Sequence, residues 1–419
     1  MTDHGARAHA HWSASATARN WHCPGALTLA DLAPPETSSI HADTGTAVHQ
    51  IAERMIRGGE RDAGPYLDTV EPVKSRKITI DEELVESAQT YVDYAWSRID
   101  AAVAEGGRFW LEERFRLDDL DPPFEAGGTG DLVIWFPKQQ LIEIADLKNG
   151  RGVVDARDNP QLRTYALGAM LSHQDLAVER IMSTIVQPRA PHKDGRIRSE
   201  TFSATDLLEW TFDLLAAMKR SVDARRAYAE VSGDLTMDVW AEKWLQPGKC
   251  KFCPAEGFCP ALKRKAQKMV AVFYDAGDRP KIGNSPADMT PEAVAAVLDE
   301  IDLIEDWIKA VRGLAHRLAE AGTPPPNYIL VEKIGNRKWA AADEVVIKDL
   351  RIVADLDDAQ IFEEPKLRSV AQIEKVLGAK RKKEIENMWL RPVTGTNLVR
   401  EDKTEREPAK SSVEKFFTR

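Results

Sequence analysis

Four residues that can bind or activate a divalent cation follow one another along the chain as His49, Asp131, Asp146 and Lys148. Asp146 and Lys148 end an apolar, strand-like segment at residues 141–148, where alternate side chains share one face. Asp131 lies on the preceding predicted strand, and a short connection can bring the two carboxylates side by side. Oxygen ligands suit Mg²⁺ or Mn²⁺, and an imidazole ligand favours Mn²⁺. The pattern predicts a metal site for phosphodiester hydrolysis, with Lys148 orienting water or stabilising charge on the phosphate.

The four cysteines form a second set with the spacing of a metal or cluster site. Cys23 is followed, more than 220 residues later, by Cys250, Cys253 and Cys259 in a Cys-x2-Cys-x5-Cys arrangement. The N-terminus lacks the apolar segment of a secretory signal, so we expect a reducing cytoplasm, where cysteines serve as ligands rather than disulfides. Four thiolates suit either zinc or a [4Fe-4S] cluster, and the residues themselves leave both open.

Composition limits the class of protein. The chain has 419 residues, 43% of them apolar and 30% charged, which is typical of a soluble globular protein with two or three domains. No apolar run approaches the roughly 20 residues that span a bilayer. The formal net charge of −10 argues against a protein coated in basic surface, although a local basic groove can coexist with an acidic remainder.

The hydrophobic period indicates the elements that must position these residues. A three-to-four residue period predicts helices at about 12–33, 43–57, 81–105, 159–172 and 204–231. Alternation predicts strands at about 108–117, 128–136, 140–148 and 178–188, the first three of them antiparallel. This order of helices and strands predicts an α/β core rather than a repeat array.

The predicted domain organisation has four parts. Residues 1–273 form the domain that holds both sets of candidate ligands, and 274–290 form a linker rich in glycine, proline and aspartate. Residues 291–398 form a mainly helical accessory region that opens with a long helix capped by Thr290. Residues 399–419 form a charged tail that we expect to be disordered.

The first set of residues resembles the PD-(D/E)XK nuclease superfamily in its RecB-like branch. Asp131 matches the first acidic residue of that family, and Asp146 and Lys148 match its (D/E)-x-K pair. His49 matches the histidine of the branch's helical motif. Gln161 and Tyr165, in Gln-Leu-Arg-Thr-Tyr, match its Gln-hydrophobic-x-x-Tyr signature. The resemblance implies a restriction-endonuclease-like core, with a central mixed β-sheet flanked by helices, catalysis by Asp131, Asp146 and Lys148, and a metal held by His49 and the two aspartates.

The cysteines resemble the iron–sulfur nuclease domains of AddB-type helicase–nuclease subunits and of CRISPR adaptation exonucleases. The segment Arg-Asn-Trp-His-Cys-Pro-Gly at 19–25 is similar to the surroundings of their first cluster cysteine. The resemblance implies a [4Fe-4S] cluster on Cys23, Cys250, Cys253 and Cys259, with zinc as the second choice. It also makes Arg19 a candidate contact to a DNA phosphate, although a helix-surface arginine is the simpler interpretation.

The whole chain resembles uncharacterised phage and prophage proteins that carry this nuclease domain. The function implied is a divalent-metal-dependent DNA exonuclease in phage recombination, repair or processing, in a bacterial host cytoplasm. Its partners would be DNA ends or single strands, and a helicase or a single-strand-binding or annealing protein. Gln161 and Tyr165 would contact the backbone or organise the site. The alternatives are a non-catalytic DNA-end-binding module of the same fold and a structure-specific endonuclease.

Overall fold

The computed structural model describes residues 10–34, 39–74, 76–190, 192–272, 291–329 and 343–352. The predicted linker at 274–290 and the predicted tail at 399–419 lie outside these residues, as does most of the predicted accessory region after 352. The chain divides into two compact units, Met1–Leu330 and Val331–Arg419. The predicted domain bounds themselves stay predictions.

The described strands alternate with helices along the first unit. The strands, in chain order, are β1 Trp12–Ser13, β2 Val70–Val73, β3 Arg76–Thr79, β4 Arg108–Arg116, β5 Ala126–Phe136, β6 Leu141–Leu147, β7 Arg180–Val186 and β8 Ile197–Ser203. The helices are α1 Thr17–His22, α2 Ala26–Ala30, α3 Ile40–Gly58, α4 Glu82–Ala104, α5 Pro160–Ser172, α6 Ala204–Tyr228, α7 Asp234–Trp244, α8 Pro260–Val272, α9 Pro291–Glu320 and α10 Asp343–Ile352. No helix in the described parts of the chain is long and apolar enough to cross a membrane.

Six of the strands form one central mixed sheet, which confirms the predicted fold class. Strands β5, β6, β7 and β8 are neighbours in that order, and β4 pairs with β5. The pairings β4–β5, β5–β6 and β7–β8 are antiparallel, whereas β1–β5 and β6–β7 are parallel. The antiparallel order predicted for β4, β5 and β6 is therefore confirmed. Strands β2 and β3 form a separate hairpin.

Helices cover both faces of this sheet. One core packs α5 and α6 against residues such as Ile142 and Ile144, and the other packs α3 and α4 against residues such as Leu132 and Ala145. Every residue of β6 is buried, so its apolar side chains divide between the two cores. Full burial of each large aliphatic side chain stabilises the fold by about 1.5–3 kcal/mol. Strand β6 is therefore the rigid support of whatever its end presents.

The predicted helix at 12–33 is broken into shorter elements. Trp12 and Ser13 form strand β1, and the helical part is interrupted after His22 by the segment Cys23-Pro24-Gly25. Gly25 is required here because a Cβ atom at this position would lie 2.7 Å from Leu245 Cδ2 and 2.8 Å from Trp240. The break lets the chain turn so that Cys23 meets the segment after α7.

Candidate metal centre and cysteine cavity

A gap in the pairing of strand β5 opens the candidate site. Strand β4 covers one edge of β5, while the other edge pairs with β1 at Ala126 and Gly127 and with β6 from Leu132 onward. The stretch 128–131 lies between these two partners. Asp131 is the last residue of that stretch, and its Oδ2 accepts a hydrogen bond of 2.7 Å from the Leu147 N–H. The gap therefore places Asp131 beside the end of β6, as the sequence predicts.

Helix α3 brings His49 to the same place. The side chain of Ser39 caps this helix by accepting from the Ala42 N–H, and Val48 and Ile51 are buried against the sheet. This packing fixes the rotation of the helix, so that His49 Nδ1 lies 3.4 Å from Asp131 Oδ2. The structure thus joins two predicted ligands that are 82 positions apart in the sequence.

Asp146 and Lys148 lie at the end of β6. Lys148 Nζ is 2.7 Å from Asp146 Oδ2, as an ion pair rather than an aligned hydrogen bond. The other oxygen, Asp146 Oδ1, faces Gln161 Nε2 at 3.4 Å, and the same Nε2 donates to Tyr165 Oη at 2.8 Å. Asn159 caps α5 by accepting from the Gln161 and Leu162 N–H groups. The four-residue spacing on the helix therefore lets Gln161 contact both Asp146 and Tyr165, while the role of the pair at the site stays a prediction.

Glu112 is a candidate ligand that the sequence interpretation missed. Its carboxylate joins His49 and Asp131 in a group whose ligand atoms all lie within 4.8 Å of one another. Among the described residues, no other three histidine, cysteine or acidic side chains lie this close together. Asp146 is outside the group, so its role as a metal ligand stays a prediction.

The backbone at Glu112 explains why alternation did not reveal it. The β4–β5 register runs to Leu111↔Leu132 and resumes at Glu113↔Gly130, and Glu112 between them has a left-handed φ of 51°. Only a few per cent of residues other than glycine adopt this conformation. The alternation of side chains reverses there, because Trp110 and Phe115 both face the α5 core. The sole signal in the sequence was an adjacent acidic pair, Glu112 and Glu113, inside the predicted strand.

Opposite charges inside the site shift its titrations. Burial raises the pKa of Asp146 to about 6, with the negative charge of Asp131 acting in the same direction and Lys148 opposing it. Burial acts against the charge of Asp131 as well, but His49 and Lys148 outweigh it and lower the pKa of that carboxyl. Burial opposes protonation of His49, but the charge and hydrogen bond of Asp131 raise its pKa to about 9. Perturbed values that oppose one another in one cleft are typical of functional sites.

The four cysteines line a second cavity. Cys23 comes from the turn after α1, and the other three come from the segment between α7 and α8. Each sulfur has a backbone N–H donor: Gln246 for Cys23, Gly248 for Cys250, Ala255 for Cys253, and Ala261 and Leu262 for Cys259. Burial raises the pKa of Cys23 to about 12 and of Cys259 to about 11. The thiols do not form a group as tight as that of His49 among the described residues.

Arg19 belongs to the cysteine cavity rather than to the metal centre. Its Nη1 donates to the Phe252 carbonyl at 3.1 Å, and its positive charge acts on Cys253. This contact joins α1 to the segment between Cys250 and Cys253. A contact between Arg19 and DNA stays a prediction.

Fold and site together define an α/β protein with a candidate His–Glu–Asp metal centre in a gap of its central sheet. The chain belongs to the DUF2800 family, described as a protein of unknown function, which it matches over residues 9–406. Among solved structures it is similar to a phage-related exonuclease from Haemophilus somnus 129PT. That likeness has 14% identity and a TM-score of 0.22, and it covers 54% of this chain and 98% of the other. A TM-score this low carries no functional conclusion.

Proposed function

We propose that this protein is a divalent-metal-dependent deoxyribonuclease that acts on DNA ends. The observation that carries the proposal is the convergence of His49, Glu112 and Asp131 beside the Asp146–Lys148 pair in the sheet gap. A purely structural cluster has no need of three ligand side chains whose atoms lie within 4.8 Å and line an open cavity. The fold belongs to the restriction-endonuclease-like, RecB-like class on this proposal, because Asp131, Asp146, Lys148, Gln161 and Tyr165 occupy the elements that the resemblance implies.

The donor set fits a small divalent cation. Two carboxylates and one imidazole suit Mn²⁺, and the carboxylates suit Mg²⁺ as well. A bound ion would neutralise charge on the scissile phosphate and lower the pKa of a water molecule. His49, Glu112 and Asp131 would hold it, with Asp146 as a further oxygen donor.

The remaining side chains have roles that their contacts support. Lys148, three-quarters buried against Asp146, supplies a fixed positive charge next to the reacting phosphate. Gln161 holds Asp146 Oδ1 and Tyr165 Oη in one line of contacts, so it sets the orientation of the carboxylate. On this proposal, Gln161 and Tyr165 position the carboxylate of Asp146 and take no part in the reaction themselves.

The cysteine cavity is proposed to hold a [4Fe-4S] cluster, with zinc as the alternative. Backbone N–H donors to all four sulfurs support it, since such bonds stabilise thiolates. Four thiolates around one cavity suit either group. Protein purified without oxygen should absorb near roughly 400 nm, and a colourless protein with one zinc would contradict the assignment.

The decisive test is cleavage of end-labelled DNA. Linear and circular substrates, single- and double-stranded, are incubated with Mg²⁺ or Mn²⁺ and with wild type or Lys148→Ala. Degradation of linear DNA alone, lost in the variant, is the expected result. Cleavage of closed circles would point to an endonuclease. Binding without cleavage of any substrate would point to a DNA-end-binding module. A helicase or an annealing protein as partner, and a phage setting in a bacterial cytoplasm, stay predictions.

A further inference from the structure

A cavity of about 280 Å³ extends from the candidate metal centre along strands β4 and β5. His49, Glu112 and Asp131 lie at one end. Helix α3 bounds one side through Thr46, and the N-terminal segment around Ser13 and Ser15 bounds another. The volume is near the lower limit of ligand pockets, and far smaller than the space that a duplex requires. A single strand is therefore the form of nucleic acid that this cavity can receive.

Two arginines follow the triad along the wall of this cavity. Arg114 and Arg116 lie two and four residues beyond Glu112 on β4, and both line the cavity. The left-handed backbone at Glu112 reverses the alternation of the strand before these two arginines. Neighbours on one face of a strand are about 6.6 Å apart. That spacing suits successive phosphates of an extended strand.

Both arginines are paired with exposed carboxylates that a phosphate could replace. Arg114 lies 3.7 Å from Glu125, and Arg116 Nε lies 2.6 Å from Asp118, with every side chain in these pairs about half exposed. Exposed ion pairs of this kind contribute little to stability. Phosphate oxygens offer a guanidinium a two-pronged contact that replaces such a partner well.

We propose that Arg114 and Arg116 bind successive phosphates of one DNA strand whose neighbouring phosphate lies at the metal centre. The inference rests on the proposed nuclease function and deepens it, because it names the substrate as a single-stranded end or flap. A blunt duplex would have to open before its strand entered the cavity.

Salt dependence of binding tests this proposal without cleavage. The full-length protein with Asp146→Asn is the parent, and it is titrated into a fluorescein-labelled 15-nucleotide strand and into a blunt duplex, at 50–300 mM KCl without added metal. Each phosphate contact to a single strand contributes about 0.7 to the slope of log K against log salt. Arg114→Gln and Arg116→Gln should each lower the slope by about 0.7, and the double variant by about 1.4. The parent should bind the single strand more tightly than the duplex.

Arg108 provides the matched control. It lies on the same strand, is about as exposed as Arg114 and is also paired with a carboxylate, Asp175, but it does not line the cavity. Arg108→Gln should leave the slope unchanged, and Arg114→Lys with Arg116→Lys should keep it because the charges remain. Thermal unfolding of each variant distinguishes lost contacts from lost structure.

Three results would overturn the inference: an unchanged slope in the double glutamine variant, tighter binding of the duplex, or no binding of DNA. Failure of the proposed function is separate, because it appears as wild-type protein that cleaves nothing. A protein that cleaves DNA but keeps its slope without the two arginines would retain the function and lose this inference.

Discussion

Strand β6 carries two buried carboxylates three residues apart, and they differ in how fully their oxygens are hydrogen-bonded. Glu143 faces the α4 side, where Tyr94 Oη and Thr184 Oγ1 donate to one oxygen and Arg98 Nε donates to the other at 2.7 Å. Asp146 faces the other core, where one oxygen has a long contact of 3.4 Å and the other has an ion pair with Lys148. Glu143 is saturated by donors from its own chain, whereas Asp146 is not.

The difference separates a structural carboxylate from a candidate functional one. A buried carboxylate stabilises a fold only when its oxygens are satisfied, because desolvation otherwise exceeds the gain. Burial, together with the neighbouring charge of Asp131, raises the pKa of Asp146 to about 6, against the effect of Lys148. The folded protein therefore keeps a destabilising charge at Asp146, and an added cation would relieve it. A saturated carboxylate such as Glu143 offers a cation nothing.

The largest effect that this comparison predicts is on cleavage. Asp146→Asn should slow DNA cleavage by about 10³-fold, because a charged oxygen donor to the proposed metal ion is lost. Its free energy of unfolding without metal should equal that of wild type or exceed it by up to about 1 kcal/mol, since a neutral amide avoids the buried charge. Cleavage rates and urea unfolding measure the two quantities.

The pH dependence of that stability difference has a defined sign. The pKa of Asp146 is raised to about 6 from an ordinary value near 3.9, so the carboxyl contributes most below about pH 4. Its contribution is lost as the pH rises through 6. Unfolding of wild type and of Asp146→Asn should therefore diverge across this range in favour of the variant. Parallel curves would contradict the burial argument.

Glu143→Ala should show the reverse behaviour. Removing this carboxylate leaves Arg98, Tyr94 and Thr184 without their acceptor, and breaking a buried pair costs about 3–5 kcal/mol. Arg98 is a quarter exposed, so we expect the lower end, about 3 kcal/mol. Chemical denaturation measures the loss, and metal binding by the folded fraction serves as the control. A Glu143→Ala variant as stable as wild type would show that Glu143 does not stabilise the fold, and would contradict its contrast with Asp146.

A smaller effect is expected at Glu112. Glu112→Gln should weaken Mn²⁺ binding by about 10–100-fold, because one charged ligand of the three is neutralised. The matched control is Glu113→Gln, the neighbour on the same strand, whose carboxylate faces His173 at 3.0 Å on the other side. Isothermal titration with Mn²⁺ compares the two. Equal losses would remove Glu112 from the metal centre.

Metal affinity should also depend on pH, by at most about tenfold for each pH unit. The pKa of His49 is raised to about 9 by Asp131 against the effect of burial, and a metal ligand must be neutral. Mn²⁺ affinity should rise up to about tenfold per pH unit between roughly pH 6.5 and 9, with proton release that titrations in different buffers detect. His49→Gln should flatten the dependence. A wild-type affinity that ignores pH would show that His49 stays outside the centre.

The sequence predicted those parts of the candidate site that lie on regular strands and helices. Alternation placed Asp146 and Lys148 on one strand, and the helical repeat aligned Gln161 with Tyr165. Both predictions rested on continuous buried elements, where the hydrophobic period dominates. The metal-centre residues His49 and Asp131 came together because these elements pack around one sheet.

Irregular backbone is what the sequence did not reveal. Glu112 turns toward the site through a left-handed backbone conformation, and no glycine or asparagine at this position indicates it in the sequence. Strand β8 was missed because its inward face carries Arg198 and Glu200 beside Phe202, so apolar residues do not alternate along it. The inward face of β2 likewise carries the buried Glu71. The prediction of one helix at 12–33 was wrong because the chain is interrupted at Cys23-Pro24-Gly25, where Gly25 leaves room for Trp240 and Leu245.

The closing of the cysteine cavity has a consequence for synthesis of the protein. Cys23 leaves the ribosome some 230 residues before Cys259, which is about 10–50 s of elongation at 5–20 residues per second. Strand β1 likewise waits for Ala126. Cys23 thus stays without the other three cysteines for more than half of translation, and its cavity can close only after the segment between α7 and α8 has emerged.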